Sequence, residues 1–207
     1  MGLGTPPPIK LAVSIKLGIV PGMDVTVPGS VHTFSDVYGA GFQPDLWVHF
    51  EHQFFHSENF GSLAFGGDTG IGYSGGQGLL QFAFNGSNVS RTGFGFIQVP
   101  LIVNLTYRFN LLRIIRPYIT AGPGMMFYDE FRNDPKPDKR GYSFIYSGNV
   151  GVSLLLDFFD KSTHRDAYLS EGIQHTYVFA EYLYLNTLNT DVVFQRSGIY
   201  SGFTFEF

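Results

Sequence analysis

The sequence predicts an all-β chain that closes into an antiparallel up-and-down barrel and spans a membrane. Three observations predict it. Segments of about ten residues alternate between apolar side chains and polar or small ones, the pattern of a strand between two different environments. The polar face carries charges on strand after strand: Lys16, Glu51, Asp68, Arg108, Glu181 and Arg196. The 207 residues include 22 Phe, 12 Tyr and 26 Gly but only 14% charged residues, against roughly 25% in ordinary soluble domains. A soluble barrel would also alternate, with its apolar face inside. Here the face that holds the charges is padded with Gly and Ser, which suits a narrow lumen laced by ion pairs.

The elements follow in order. Pro6 to Pro8 are a stiff lead-in. Lys10 to Val20 alternate cleanly, with Leu11, Val13, Ile15, Leu17 and Ile19 on one face and Lys10, Lys16 and Gly18 on the other. That is long enough for a tilted strand to cross a bilayer, which takes about 9–11 residues. Pro21 to Ala40 read as turns. Gln43 to Phe54 form a second strand, with Leu46, Val48 and Phe50 outward and His49, Glu51 and Gln53 inward. Its parity puts Trp47 inside and His52 outside.

The third strand, Ser62 to Tyr73, points Leu63, Phe65, Ile71 and Tyr73 outward and Ala64, Asp68 and several glycines inward. Ser74 to Thr92 are loop-like, with an apolar insert from Leu79 to Phe84 that either extends the hairpin or adds a strand. The fourth strand, Phe96 to Phe109, turns Leu101, Val103 and Leu105 outward and Gln98, Asn104, Thr106 and Arg108 inward. The fifth, Ile115 to Tyr128, is interrupted by Pro123, which has no N–H for the ladder. Asp129 to Arg140 read as a solvated loop.

The sixth strand runs from Tyr142 to Phe158. Thr163 and Asp166 resemble a capping box, so a short helix is expected over His164 to Glu171, with Gly172 as its stop. The seventh strand is Thr176 to Asn186 and the eighth Val192 to Phe207. The expected count is eight, in one domain over residues 1–207; the insert at Leu79 would move it towards ten. The first five connections alternate long and short, and the last two break that alternation.

The final strand ends Tyr-Ser-Gly-Phe-Thr-Phe-Glu-Phe. Tyr200, Gly202, Phe205 and the terminal Phe207 resemble the C-terminal β-signal of Gram-negative outer-membrane barrels. At the level of architecture the whole chain resembles small barrels of the OmpA, OmpX and OmpW kind. The resemblance implies an outer-membrane location, contact with lipid and lipopolysaccharide, and recognition of the last strand by the barrel assembly machinery. It also implies termini and helix in the periplasm, long loops outside and a monomer. No secretory signal precedes Lys10, so the expected form is a mature chain with an added Met1.

The net charge of -4 gives no electrostatic case for nucleic acid. The absence of cysteine removes thiolate metal sites and disulfides. His49, Glu51, His52 and His56 lie close in sequence, yet alternation sends His52 away from the others, so no metal site is expected. Gly70-x-Gly72-x-x-Gly75 matches a dinucleotide fingerprint in letters only, because no helix follows it. Ser170 and His175 with Glu171 or Glu181 are the candidates for a lipid-modifying activity, but no spacing demands a triad.

An eight-stranded barrel is just wide enough for side chains to fill it. The sequence therefore predicts a plugged, non-enzymatic barrel without cofactor, acting structurally or through its outer loops. The alternative is binding or passage of a small apolar molecule, as the OmpW resemblance allows. An apolar patch in the upper lumen would favour it.

Overall fold

A computed structural model of the chain describes residues 10–21, 24–26, 34–38, 41–57, 60–79, 89–110, 114–135, 137–157, 167–188 and 193–207. Nine strands and two short helices account for most of them. In chain order they are β1 (Leu11–Pro21), β2 (Asp24–Thr26), α1 (Phe34–Tyr38), β3 (Phe42–Ser57), β4 (Gly61–Leu79) and β5 (Val89–Arg108). Then come β6 (Ile115–Arg132), β7 (Lys139–Leu155), α2 (167–171), β8 (His175–Thr187) and β9 (Val193–Glu206). The sheet order is β1-β3-β4-β5-β6-β7-β8-β9-β2, and β1 also pairs with β9. Eight strands thus close a ring, all neighbours antiparallel, as the sequence predicts. β2 is a short addition that pairs with β9 beyond the end of β1, from Asp24↔Gln195 to Thr26↔Val193.

Alternation sets the faces. Leu17 is 62% exposed while its neighbour Lys16 is 3% exposed. The same contrast recurs at Phe50 and Glu51, at Leu101 and Ile102, and at Val150 and Asn149. The exposed apolar belt runs round the barrel through Ile15, Phe65, Val103, Ile119, Phe144, Tyr182 and Phe203. Water would penalise so large an apolar surface, and lipid would not.

Several boundaries differ from the sequence reading. β4 runs on to Leu79 and β5 starts at Val89, so much of the stretch read as a Gly-rich loop is strand; the insert around residues 80–84 lies outside the described residues. β6 continues to Arg132 and β7 begins at Lys139, so most of the charged "loop" is a hairpin projecting past the belt. In it Asp129 stands directly opposite Arg140, and Glu130 opposite Lys139. Opposite charges placed across a ladder stabilise it, which explains why a charged stretch pairs. The turn region after β1 contains β2 and α1, neither visible in its Pro/Gly-rich sequence.

The last two connections do not disturb the count. The short link between β8 and β9 lies at the same end as the long ones, and the α2 connection lies at the end that holds the termini. Of the expected helix, residues 167–171 are helical and those before lie outside the described residues. Gly172 ends it in the left-handed region, φ 74°, and its N–H donates to the Tyr168 carbonyl at 3.2 Å. Pro123 interrupts the β5–β6 ladder as expected: register pairs stop at Ile102↔Gly124 and resume at Leu105↔Ala121.

Candidate functional site: the filled lumen

Seven strands deliver the central cluster. Lys16 of β1 sits 2.9 Å from both Asp68 of β4 and Glu181 of β8. His49 of β3 bridges Asp68 and Glu51, each 3.1 Å from one ring nitrogen. Glu51 lies 2.6 Å from Arg108 of β5, an ion pair. Tyr118 of β6 and Asn149 of β7 donate to Glu181 at 2.7 and 3.2 Å. Asn104 donates to the second Asp68 oxygen at 2.5 Å.

The network is continuous across the bore and its members are buried. Charges out of water survive only when paired and hydrogen-bonded, and here each carboxylate has at least two polar partners. A gap of about 20 Å³ among Ser14, Arg108, Thr120 and Thr204 is about the size of one water molecule.

Two further clusters bracket this one. Towards the termini, Glu206 receives Arg116 at 3.3 Å on both oxygens and Gln53 at 3.3 Å. The Arg116 guanidinium also lies 5.0 Å from the centre of the Tyr177 ring. Towards the loops, Asp45 gathers Arg196 at 3.1 Å, Trp47 at 2.6 Å and Tyr200 at 2.8 Å.

Around and above Asp45 an apolar cluster fills the lumen, interrupted by buried Gln98 and by Gln43, which accepts from Ser74. Val20, Phe34, Trp47, Phe96, Ile102, Met126, Ile145, Leu183, Leu185, Phe194 and Tyr200 form one buried cluster. α1 caps it: Phe34 and Tyr38 stack at 4.3 Å, and Phe34 meets Phe96 edge-on at 5.3 Å. Phe96 stacks in turn on Tyr128 and Phe194.

The expected charge network is therefore divided. Lys16, Glu51, Asp68, Arg108 and Glu181 come together; Arg196 does not join them and belongs to Asp45, a residue sequence reasoning missed. Parity would have found it, because Asp45, His49 and Glu51 share one face. Lys10 stands just before β1 and is exposed at the terminal rim; Glu206 is met instead by Arg116 and Gln53. Trp47 faces inward, as its phase indicates. Among the enzyme candidates, Glu181 is committed to the central network, while His175 lies near the terminal rim, 2.7 Å from Asp157.

At the end of β9, Tyr200 and Gly202 point inward and the Phe203–Phe205–Phe207 face outward, as alternation requires. A Cβ on Gly202 would lie 2.9 Å from the carbonyl carbon of Ile15 and 3.0 Å from the Cα of Lys16. Glycine there lets β9 approach β1 closely enough to close the ring.

No family model and no curated protein matches the sequence. Solved structures match its fold. Neisserial surface protein A (NspA) superposes with a TM-score of 0.53 at 12% identity, covering 95% of this chain and 97% of that one.

The fold is that of the small outer-membrane β-barrel proteins.

The barrel also matches Ail, the attachment invasion locus protein of Yersinia pestis, solved in complex with the heparin analogue sucrose octasulfate. There the TM-score is 0.51 at 11% identity, over 95% of this chain and 100% of that one. Outer membrane protease OmpT of Escherichia coli gives 0.53 at 10% identity, over 100% and 99%. An attachment invasion locus protein, a surface protein and a protease have similar folds, so the fold alone selects no activity.

Proposed function

We propose that the chain is an integral, monomeric barrel of a bacterial outer membrane that conducts no ions, catalyses no reaction, and serves the membrane structurally or binds through its outer loops. One observation carries this reading: the bore is blocked twice in series, by a paired charge network and by an aromatic cap. An ion crossing it would have to break buried ion pairs and then enter an apolar cluster, each costing several kcal/mol. The membrane location rests on the exposed apolar belt. Its partners in this reading are outer-membrane lipid and lipopolysaccharide.

A second reading has its own observation. The loop-end lumen holds a cluster of apolar side chains under α1, with few polar groups among them, as a receptor for a small apolar molecule would. Quenching of the Trp47 emission separates the two, and planar-bilayer recording tests both. The closed barrel gives no steady conductance, and an apolar fluorescence quencher added in water leaves Trp47 emission unchanged. Quenching of Trp47 by the apolar probe at micromolar concentration would favour the second reading. A large steady conductance would overturn both.

The C-terminal strand is proposed as the segment read by the assembly machinery. Its outward aromatic face ends at Phe207, whose backbone N–H donates to Leu11 at 2.8 Å. Phe207→Ala keeps that backbone bond and removes only the side chain. The expected result is slower assembly in cells, with refolding from urea into detergent unchanged. Equal loss in both assays would mean that Phe207 acts in stability rather than in recognition.

A further inference from the structure

His49 lies in the bore with an acceptor on each side. Its Nδ1 is 3.1 Å from Asp68 Oδ1, and its Nε2 is 3.1 Å from Glu51 Oε2. A neutral imidazole has one N–H, and its second nitrogen is itself an acceptor. Two carboxylate oxygens at hydrogen-bond distance therefore ask for one proton more than a neutral ring carries.

The two acids have no place for that proton. Asp68 Oδ1 also faces the Lys16 ammonium at 2.9 Å, and its Oδ2 accepts from Asn104. Glu51 Oε1 meets the Arg108 guanidinium at 2.6 Å. Each oxygen of both acids thus faces a donor or a cation, and a proton placed on one would point at another hydrogen. The ring is where it fits.

The charges agree with the hydrogen bonds. The titratable groups around His49 are Glu51 on its own strand, Lys16 of β1, Asp68 of β4, Arg108 of β5, Tyr118 of β6 and Glu181 of β8. Three are carboxylates and two are cations, while Tyr118 is engaged as a donor to Glu181. The bracketing clusters are each balanced, Asp45 against Arg196 and Glu206 against Arg116. Among the described residues, only the central cluster is short of a cation, and His49 is the member that can become one. Burial makes such an imbalance costly.

We propose that closing the barrel takes up one proton, held on His49 as an imidazolium, and that the charge plug is a proton-dependent latch. The inference rests on the plugged-barrel reading and adds a means of regulation to it. Without the proton, one carboxylate oxygen meets a bare ring nitrogen and the cluster keeps an unbalanced negative charge. In the unfolded chain the same ring titrates at about pH 6.5. Above that pH, folding draws a proton from solution. The stability that the proton contributes is therefore whole in acid and is lost as the medium turns alkaline.

Urea unfolding of the full chain in lipid vesicles tests it from about pH 7.5 to about pH 9, above ordinary histidines and below tyrosine and lysine. The folding equilibrium constant should fall by up to about tenfold per pH unit, the slope of one proton. The slope should vanish in His49→Gln. It should also vanish in Glu51→Gln, which keeps the ring and removes one carboxylate charge. His175→Gln, which removes a carboxylate-bound ring at the terminal rim, should leave the slope unchanged. Nitrogen-15 spectra of the histidine-labelled, unmodified barrel give a second reading and decide alone if neither His49→Gln nor Glu51→Gln folds. They should show one ring with two protonated nitrogens whose protons exchange slowly with water, unlike the exposed His52 and His56. A flat slope in the folded barrel, a slope that survives His49→Gln or disappears in His175→Gln, or a slowly exchanging ring with one bare nitrogen would each overturn the latch. A large steady conductance would bring down the plugged-barrel reading instead, a different outcome from a closed barrel with a flat slope.

Discussion

Replacing Lys16 with methionine should cost the barrel about 3–5 kcal/mol, the usual penalty for removing one partner of a buried ion pair. Lys16 is the cation shared by Asp68 and Glu181, at 2.9 Å from each. Methionine keeps most of the volume and leaves two carboxylates facing each other in a bore without bulk water. His49, Asn104, Tyr118 and Asn149 still hydrogen-bond them, but none is a permanent cation. Urea unfolding in lipid vesicles measures the loss. Adding Glu181→Gln and Asp68→Asn to the Lys16 variant should recover a large part of it, because neutral amides tolerate the site. If Lys16→Met costs less than 1 kcal/mol, the network is solvated and the lumen is not the dry plug described.

Leu101→Arg should cost about 2–4 kcal/mol, the penalty for a cationic side chain on the lipid face near the midplane. Leu11→Arg, at the terminal edge of the belt, should cost roughly 0–1 kcal/mol by the same depth dependence. Ile102→Arg enters the lumen beside Met126 and acts by crowding and by an unpaired charge. The two neighbours separate in bilayers of different thickness. The Leu101→Arg penalty should grow as the bilayer thickens, and the Ile102→Arg penalty should stay constant. Equal responses at both positions would mean that β5 does not present one face to lipid.

The barrel itself was legible because the period-2 pattern is a direct imprint of lipid on one side and lumen on the other. Lys16, Glu51, Asp68, Arg108 and Glu181 could be placed inside from parity alone. Which charge meets which could not. Pairing depends on the relative heights of strands, fixed by register, and register between distant strands leaves no local mark in sequence. That is why the sequence groups Arg196 with the central charges although its partner is Asp45. The long hairpin of β6 and β7 was hidden by its charges, which read as solvation until Asp129 and Glu130 are seen opposite Arg140 and Lys139. α1 was hidden for a different reason. Five residues are too few to show a helical period, and its aromatic residues find their purpose only against Phe96 on a distant strand.

The junction of β1 with β9 has a consequence for how the molecule comes into being. Every other pairing in the ring joins strands that follow one another along the chain, whereas Ser14 reaches Thr204 across 190 positions. Contacts of such separation form late, since the loop entropy of the whole intervening chain opposes them. Until then the molecule is a curled sheet with two open edges, and open edges recruit other chains. The same late event brings Lys16, on the first strand, to Glu181, on the last hairpin. Neutralisation of the bore and elimination of the adhesive edges are therefore one kinetic step. Before it the assembling chain is wet inside and prone to aggregate; after it the interior is sealed and no strand is left unpaired in the ring.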